Sequence, residues 1–487
     1  MTKSHILSLQ EQSRSLEPDR HKRAEIINHS LRYGDTFMES LDQQKAYQTF
    51  DKSVNELLND PLGNEPVCME QLMDTVENKI VTPGLNPASG THFGYIPGGG
   101  LFSSAVGDYL AAITNRYVGV YYSSPGGVAL ETRLVNWMAE LIGFGDGAGG
   151  FLSSGGSMAN LTAVVTAREH AGLRAKDYEK AVVYMTDQTH HCVEKALNIA
   201  GMNECEKRYI PLDDHSKMTV EELDKAIESD RKQGLIPWMI VVSAGTTDTG
   251  AIDPLEEIGE IAASHKIWYH VDAAYGGFFL LTDEGKQKLK GIDRADSVVL
   301  DPHKGLFLPY GTGALVVKNV DKLAKAHQYE ANYMQDTKVE SCMYSPAEIS
   351  PELSKHFRGL RMWLPLKLHG VKAFRSALEE KLLLTHYVWD QLHEMNEIEI
   401  GRKPDLTVFT FRWTPEVAED LNQLNQKLHK ALVDDGRVFL STTNIKGNFC
   451  FRFVVLSVRT HLREVELFLS VLNEMMEKIR SESDLIL

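Results

Sequence analysis

The 487-residue chain lacks most of the marks of secreted, membrane-spanning or nucleic-acid-binding proteins. Its five cysteines (Cys68, Cys192, Cys205, Cys342 and Cys450) are odd in number, widely spread and without CxxC spacing, so neither a zinc site nor a redox pair is indicated. They read as reduced thiols. No stretch approaches the ~20 apolar residues of a membrane span, and the opening MTKSHILSLQEQSRSLEPDR holds no apolar segment of signal-peptide length. These features lead to the expectation of a cytoplasmic protein with no membrane partner. Positive charge is in deficit, because 51 Lys and Arg stand against 67 Asp and Glu, a net charge of −16. No basic patch offsets it, and such a surface repels phosphate backbones and anionic lipid, which excludes nucleic acid as an expected partner. Internal repeats and low-complexity segments are also missing.

What is present is an ordinary globular composition, 43% hydrophobic and 24% charged. The length exceeds what one core usually organises, so a dominant domain of roughly 250 residues or more with smaller attachments is expected. Residues 1–85 are polar and helix-leaning, an arm that would not fold alone. Thr82 to Gly100, VTPGLNPASGTHFGYIPGG, is rich in helix and strand breakers and reads as a boundary loop. From 101 to about 325, β-rich runs (181–185, 238–243, 267–271, 297–300) alternate with helical stretches, the pattern of βαβ units and a mostly parallel sheet. Residues 86–375 are therefore assigned to a large α/β domain. A long loop is expected at 327–351. Beyond it, a helical stretch and the strand-like LTVFTFRW, RVFLST and NFCFRFVVLS read as a small C-terminal α+β domain, 376–487.

Sites in parallel sheets lie beyond the carboxyl ends of the strands, so the residues that follow each apolar run carry the functional information. The run 267–271 ends in Asp272, followed by Ala273 and Ala274; a carboxylate there is costly without a partner, though a turn-capping Asp fits equally. Strand 297–300 runs into Asp301, Pro302, His303 and Lys304. A lysine between buried strands is uncommon, and desolvation would favour loss of its proton and a Schiff-base role, whereas a snorkelling Lys is the plain alternative. In GGFLSSGGSMAN a strand enters a small-residue turn and a helix starts near Ser157, which suits a phosphate at unpaired N–H groups but also suits tight packing. That turn has neither P-loop nor GxGxxG spacing. His190, His191 and Cys192 follow strand 181–185; further metal ligands at short spacing are missing, so no metal is assigned and aromatic stacking or helix capping remains.

Joint occurrence decides between these alternatives. One ligand would use all four features: a phosphate for the Gly/Ser turn, an aromatic ring for His190, a ring nitrogen for Asp272 and an aldehyde for Lys304. That ligand is pyridoxal 5′-phosphate, whose ring nitrogen stays protonated beside a carboxylate and then acts as an electron sink. With HVDAAY (270–275), DPHKG (301–305) and SSGGSMAN (153–160), the chain resembles the group II pyridoxal-phosphate amino-acid decarboxylases over residues 85 to 480. The resemblance implies the aspartate-aminotransferase type I fold, a homodimer whose arm packs on the other subunit, and an amino-acid substrate. It also implies roles. Lys304 matches the lysine bonded to the cofactor, Asp272 the partner of the pyridine nitrogen, His190 the stacking ring and Ala274 the opposite face. Gly156 and Ser157 match the phosphate cup, Thr247 a threonine beneath the cofactor, and His303 a histidine beside phosphate and lysine. Tyr333, in ANYMQ, matches a loop tyrosine that protonates the product carbon, where phenylalanine accompanies aldehyde formation instead. Catalytic roles thus fall to Lys304, Asp272, His190 and Tyr333.

Two departures stand out. Asp301 replaces the Asn common in animal members, placing a carboxylate near the expected phosphate. In THFGYIPGG, Tyr95 is kept as a substrate-binding residue, whereas Ile96 and Gly98 are expected to alter the pocket wall. Tyr95, Phe93, Tyr117 and Tyr121 favour an aromatic L-amino acid as substrate, although core or dimer contacts would explain any one of them. Acidic or dibasic amino acids such as glutamate and 2,4-diaminobutyrate stay open, as do aminotransfer and aldehyde formation.

Overall fold

The computed structural model describes residues 2–50, 52–328, 343–416 and 418–484. Seven strands form the large sheet: β2 (Gly149–Ser153), β3 (Ala181–Met185), β4 (Glu206–Tyr209), β5 (Ile236–Ser243), β6 (Trp268–Asp272), β7 (Ser297–Leu300) and β8 (Gly313–Val317). Their spatial order is β2-β8-β7-β6-β5-β3-β4, and only β8 runs against the rest. Both faces are covered, which explains the unbroken apolar runs read from the sequence. Val298 and Leu300 of β7 and Ala314 and Val316 of β8 enter the main core, while Val299 and Leu315 between them enter a second core on the opposite face. With β8 alone reversed, six strands deliver their carboxyl ends to one edge of the sheet.

The small sheet has the order β9-β10-β12-β11-β1, with β9 Ile398–Ile400, β10 Val408–Trp413, β11 Phe439–Ile445 and β12 Asn448–Val454. Its edge strand β1 is His92–Phe93, parallel to β11. The expected boundary loop therefore contributes to the small sheet, because Phe93 stacks on Phe453 and meets Phe468 at a tilt in a core that its own neighbourhood does not provide. Of the helices, α1 (Lys3–Gln12) and α2 (Arg20–Ser40) lie in the arm and bury no residue within this chain. Helix α3 (Phe102–Thr114) follows the glycine-rich loop, and α4 (Gly156–His170) follows β2.

The helical stretch beyond 358 divides at Gly370 into α5 (Gly359–His369) and α6 (Val371–His393). The boundary read at 375/376 falls inside α6, and the side chains show why. Phe374, Leu378 and Leu382 pack into the main core, whereas Leu384, Val388 and Leu392 pack into the core of the small sheet. Each fully buried leucine contributes about 2 kcal/mol, so one continuous helix is anchored at both ends. Two further helices, α7 (Leu421–Asp435) and α8 (Leu462–Asp484), cover the small sheet. Among the described residues no helix is long and apolar enough to cross a membrane.

Candidate active site

Asp272 is the last residue of β6 and is 9% exposed. A carboxylate at that depth needs donors. It has two: the Ala274 N–H reaches Oδ1 at 3.1 Å, and the Asn160 amide, from the second turn of α4, reaches Oδ2 at 2.9 Å. On the neighbouring strand, β7 ends at Leu300 and the chain makes one helical turn, Pro302–Gly305, which carries Lys304. The Lys304 ammonium lies 3.1 Å from Asp301 Oδ2, and His303 Nε2 lies 3.7 Å from the same oxygen. His303 is oriented by its other nitrogen, 2.6 Å from the Thr312 carbonyl. The turn is pressed against the 97–100 loop so closely that a Cβ on Gly98 would sit 2.2 Å from the His303 carbonyl oxygen.

The electrostatics of Lys304 reverse the expectation that desolvation alone would free its amine. Burial does push its pKa down, but the carboxylates of Asp301 and Asp272 more than offset this and hold it above the ordinary lysine value. In His190 the balance goes the other way. Burial lowers its pKa against the opposing pull of Asp272, so the imidazole is neutral at neutral pH. Its Nδ1 accepts from the Cys192 N–H at 3.3 Å. Burial pushes the Cys192 thiol up to about 12, which leaves it inert as a nucleophile.

One cavity of about 290 Å³, near the lower end of the size range of small-molecule sites, joins these groups. Lys304, Asp272, His190 and His303 line it, together with Gly156, Ser157, Ala274 and Thr247. So do Asn160, Cys192 and Asp301, to which the sequence assigned no role. The cavity fits pyridoxal 5′-phosphate feature by feature. An amine and a carboxylate face the same space. The first N–H groups of α4, free of intrahelical partners by helix geometry, open onto it at Gly156 and Ser157. A Cβ on Gly156 would meet Asp301 Oδ2 at 3.0 Å and the Ala274 methyl at 3.3 Å, so a side chain there would fill the cradle. Asp301 Oδ1 is buried without a hydrogen-bond partner among the described residues; as a carboxylate oxygen it only accepts, so it offers nothing to a phosphate and its role here is on the side of Lys304.

The family model of the pyridoxal-dependent decarboxylase conserved domain matches residues 52–414. The chain belongs to that family. This decarboxylase takes pyridoxal 5′-phosphate as its cofactor. It is 34% identical over 450 residues to an aromatic-L-amino-acid decarboxylase of Bacillus atrophaeus, covering 87% of this chain and 93% of that protein. It is also 28% identical over 430 residues to a phenylacetaldehyde synthase of Arabidopsis thaliana, covering 84% and 87%. The crystal structure of Oryza sativa TDC with PLP and tryptamine superposes with a TM-score of 0.89 at 21% identity, over 95% of this chain and 99% of that one, which establishes the fold.

In the decarboxylase chain the aromatic residues read as pocket candidates separate. Phe93 is fully buried in the core of the small sheet and forms no pocket wall. Ile96 packs on the main core, and Gly98 backs onto the Lys304 turn, so neither lines the cavity; close packing, and not pocket shape, explains these two departures. Tyr95, Tyr117 and Tyr121 do not line the cavity in this chain either. The Tyr95 ring is 57% exposed on a left-handed backbone (φ 53°) and stacks on Phe439. Arg452 of β12, which the sequence reading passed over as one of many strand residues, fixes that segment. Its guanidinium is 3% exposed and donates to the carbonyls of Tyr95 and Thr247 and to Ser441 Oγ, and burial lowers its pKa to about 10. Tyr333 lies outside the described residues.

Replacing Asp301 by Asn leaves burial to act on Lys304 with one fewer carboxylate opposing it, so the amine is neutral over a wider pH range. In Asp301→Asn protein, uptake of pyridoxal phosphate, followed by the visible absorption that bonding to Lys304 produces, is expected to be roughly tenfold faster at neutral pH, the ratio one pKa unit carries. The rising limb of the pH profile should move to lower pH. A profile superimposable on the wild type would show that Asp301 does not control the amine.

Proposed function

We propose that this enzyme decarboxylates an aromatic L-amino acid to its amine and carbon dioxide. The observation that carries the reading is the placement of Lys304 and Asp272 on one cavity whose remaining wall is a helix N-terminus built for phosphate. Similarity to the Bacillus enzyme supports the aromatic side chain over glutamate, 2,4-diaminobutyrate or other acidic and dibasic substrates. Bound there, pyridoxal phosphate supplies a protonated ring that draws electrons from the substrate's α-carbon.

The chain's own groups supply the rest. Asp272, held by two donors, keeps a negative charge where the ring nitrogen's proton must stay. His190 and Ala274 would hold the ring from either side with an imidazole and a methyl, giving the substrate a fixed plane against which to be oriented. Lys304 is the amine that would hold the cofactor's aldehyde, and it stays beside the cavity, 3.1 Å from Asp301 Oδ2, to take up or give a proton. Tyr333 carries the proton that the α-carbon receives. Thr247 and His303 complete the floor and the phosphate side of the site; Tyr95, outside this chain's cavity and 57% exposed, is left open to contact a substrate's side chain.

A second copy of the chain is part of this reading. Helix α3 exposes Phe102, Val106, Tyr109, Leu110 and Ile113, at 55%, 37%, 47%, 41% and 67%. Spacings of four, three, one and three place them on one helical face. An apolar stripe of that kind, in a chain whose helices α1 and α2 bury no residue of their own, suits a homodimer interface. The free state of the four described cysteines suits a cytoplasmic location.

Purified enzyme supplied with pyridoxal phosphate and each of the twenty amino acids is expected to release the amine of an aromatic one fastest; preference for glutamate or a dibasic acid would overturn the substrate assignment. The relationship to phenylacetaldehyde synthase favours aldehyde formation as the second reading. Tyr333→Phe protein should lose amine output at least tenfold and gain aldehyde and ammonia, and undiminished amine would remove Tyr333 from the reaction. Sedimentation should show a dimer, and Ile113→Glu should shift it to monomer with loss of activity; a fully active monomeric wild type would refute the shared interface.

A further inference from the structure

Two of the sequence motifs contain residues that the reaction so far leaves idle: His270 in HVDAAY and Asn160 in SSGGSMAN. Strand alternation puts Trp268, His270 and Asp272 on one face of β6, the face that α4 covers. The parallel register sets Ser297 of β7 beside His270. The result is an unbroken chain of hydrogen bonds. The Trp268 indole reaches Ser297 Oγ at 2.8 Å, Ser297 Oγ lies 2.7 Å from His270 Nδ1, His270 Nε2 lies 2.8 Å from Asn160 Oδ1, and the Asn160 amide reaches Asp272 Oδ2 at 2.9 Å. Every member but Asp272 is at most 3% exposed, and Asp272 is 9% exposed.

The direction of each proton follows from the chemistry of the ends. The anionic Asp272 only accepts, so Asn160 turns its amide toward Asp272 and its carbonyl toward His270. His270 must then donate from Nε2. Burial lowers its pKa to about 4, so the ring is neutral and Nδ1 is an acceptor. Ser297 therefore donates to Nδ1, and its oxygen accepts from the indole N–H, which can only donate. Each link satisfies the next, and no alternative orientation satisfies all of them.

We propose that Trp268, Ser297, His270 and Asn160 form a buried relay of positioning residues that locks the Asp272 carboxylate against the cofactor's ring nitrogen. The relay acts on the plane and direction of one carboxylate. A free carboxylate at a strand end rotates about its Cα–Cβ and Cβ–Cγ bonds, and one donor at Ala274 does not stop it. The Asn160 amide supplies the second donor, and it cannot flip, because its carbonyl is held by a histidine whose own tautomer is set two residues further along the chain.

This inference rests on the cofactor assignment, and the test separates the two. Pyridoxal phosphate labelled with nitrogen-15 in the ring is added to wild-type, Asn160→Leu, Ser297→Ala and double-variant protein. Nitrogen NMR reports ring protonation, equilibrium dialysis reports retention, and steady-state kinetics report turnover. Wild type should show a protonated ring nitrogen. In Asn160→Leu the signal should move toward the unprotonated position and kcat should fall at least tenfold, while KM changes less than threefold, because Asn160 acts on Asp272 and not on substrate. Ser297→Ala, a one-oxygen deletion, should show the same shift at smaller amplitude even if Asn160→Leu fails to fold. The double variant should be no worse than Asn160→Leu alone. A wild-type ring signal in folded single variants, or effects that simply add in the double variant, would overturn the relay. Wild-type protein that retained no labelled cofactor would overturn the cofactor assignment and the relay with it.

Discussion

A carboxylate held in the interior at the end of a parallel strand is the constraint around which this protein is arranged. Moving an ionised carboxylate out of water costs several kcal/mol unless donors and a cation surround it. Here Asp272 is met by Ala274 N–H and Asn160, and it faces the ammonium of Lys304 across the cavity closely enough to help raise that lysine's pKa. Asp301 adds a second buried carboxylate within 3.1 Å of the same ammonium. One lysine thus answers two acids, and a ligand with a cationic ring nitrogen would give Asp272 a counter-charge of its own.

The sheet makes the arrangement possible. Six strands running one way bring Gly156, His190, Thr247, Asp272 and Lys304 to a single edge, although they are spread over about 150 positions of sequence. The reversed strand β8 lies between β2 and β7 and closes the wall: Thr312, just before it, holds His303. The small sheet contributes from the side through Arg452, which joins Thr247 to the Tyr95 segment.

Much of this was legible because the informative residues follow apolar runs, where a polar side chain needs a reason. Asp272, Lys304 and the Gly156–Ser157 turn belong to that class, as do the strands that lead into them. What escaped was set by pairing across long separations. Asn160 sits mid-helix, where asparagine usually faces solvent, and only the packing of α4 on β6 turns it toward Asp272. Arg452 alternates with phenylalanines in a strand and gives no local sign of its three acceptors. Phe93 was misread for the same reason: its core is built by residues about 290 or more positions away. The lysine's raised pKa was hidden too, since desolvation is visible in sequence whereas the 3.1 Å approach of Asp301 is not.

Helix α6 ties the two cores together, and that bond has a bearing on how the polypeptide comes apart. A single rod whose first half is sunk in one apolar mass and whose second half is sunk in another transmits the melting of either to its neighbour. Severing the chain within residues 371–393 would leave each fragment with half a helix and an uncovered greasy flank, so neither piece would be expected to stand by itself. The small C-terminal region is then no detachable module but a graft, kept rigid enough to hold Arg452 at the mouth of the site.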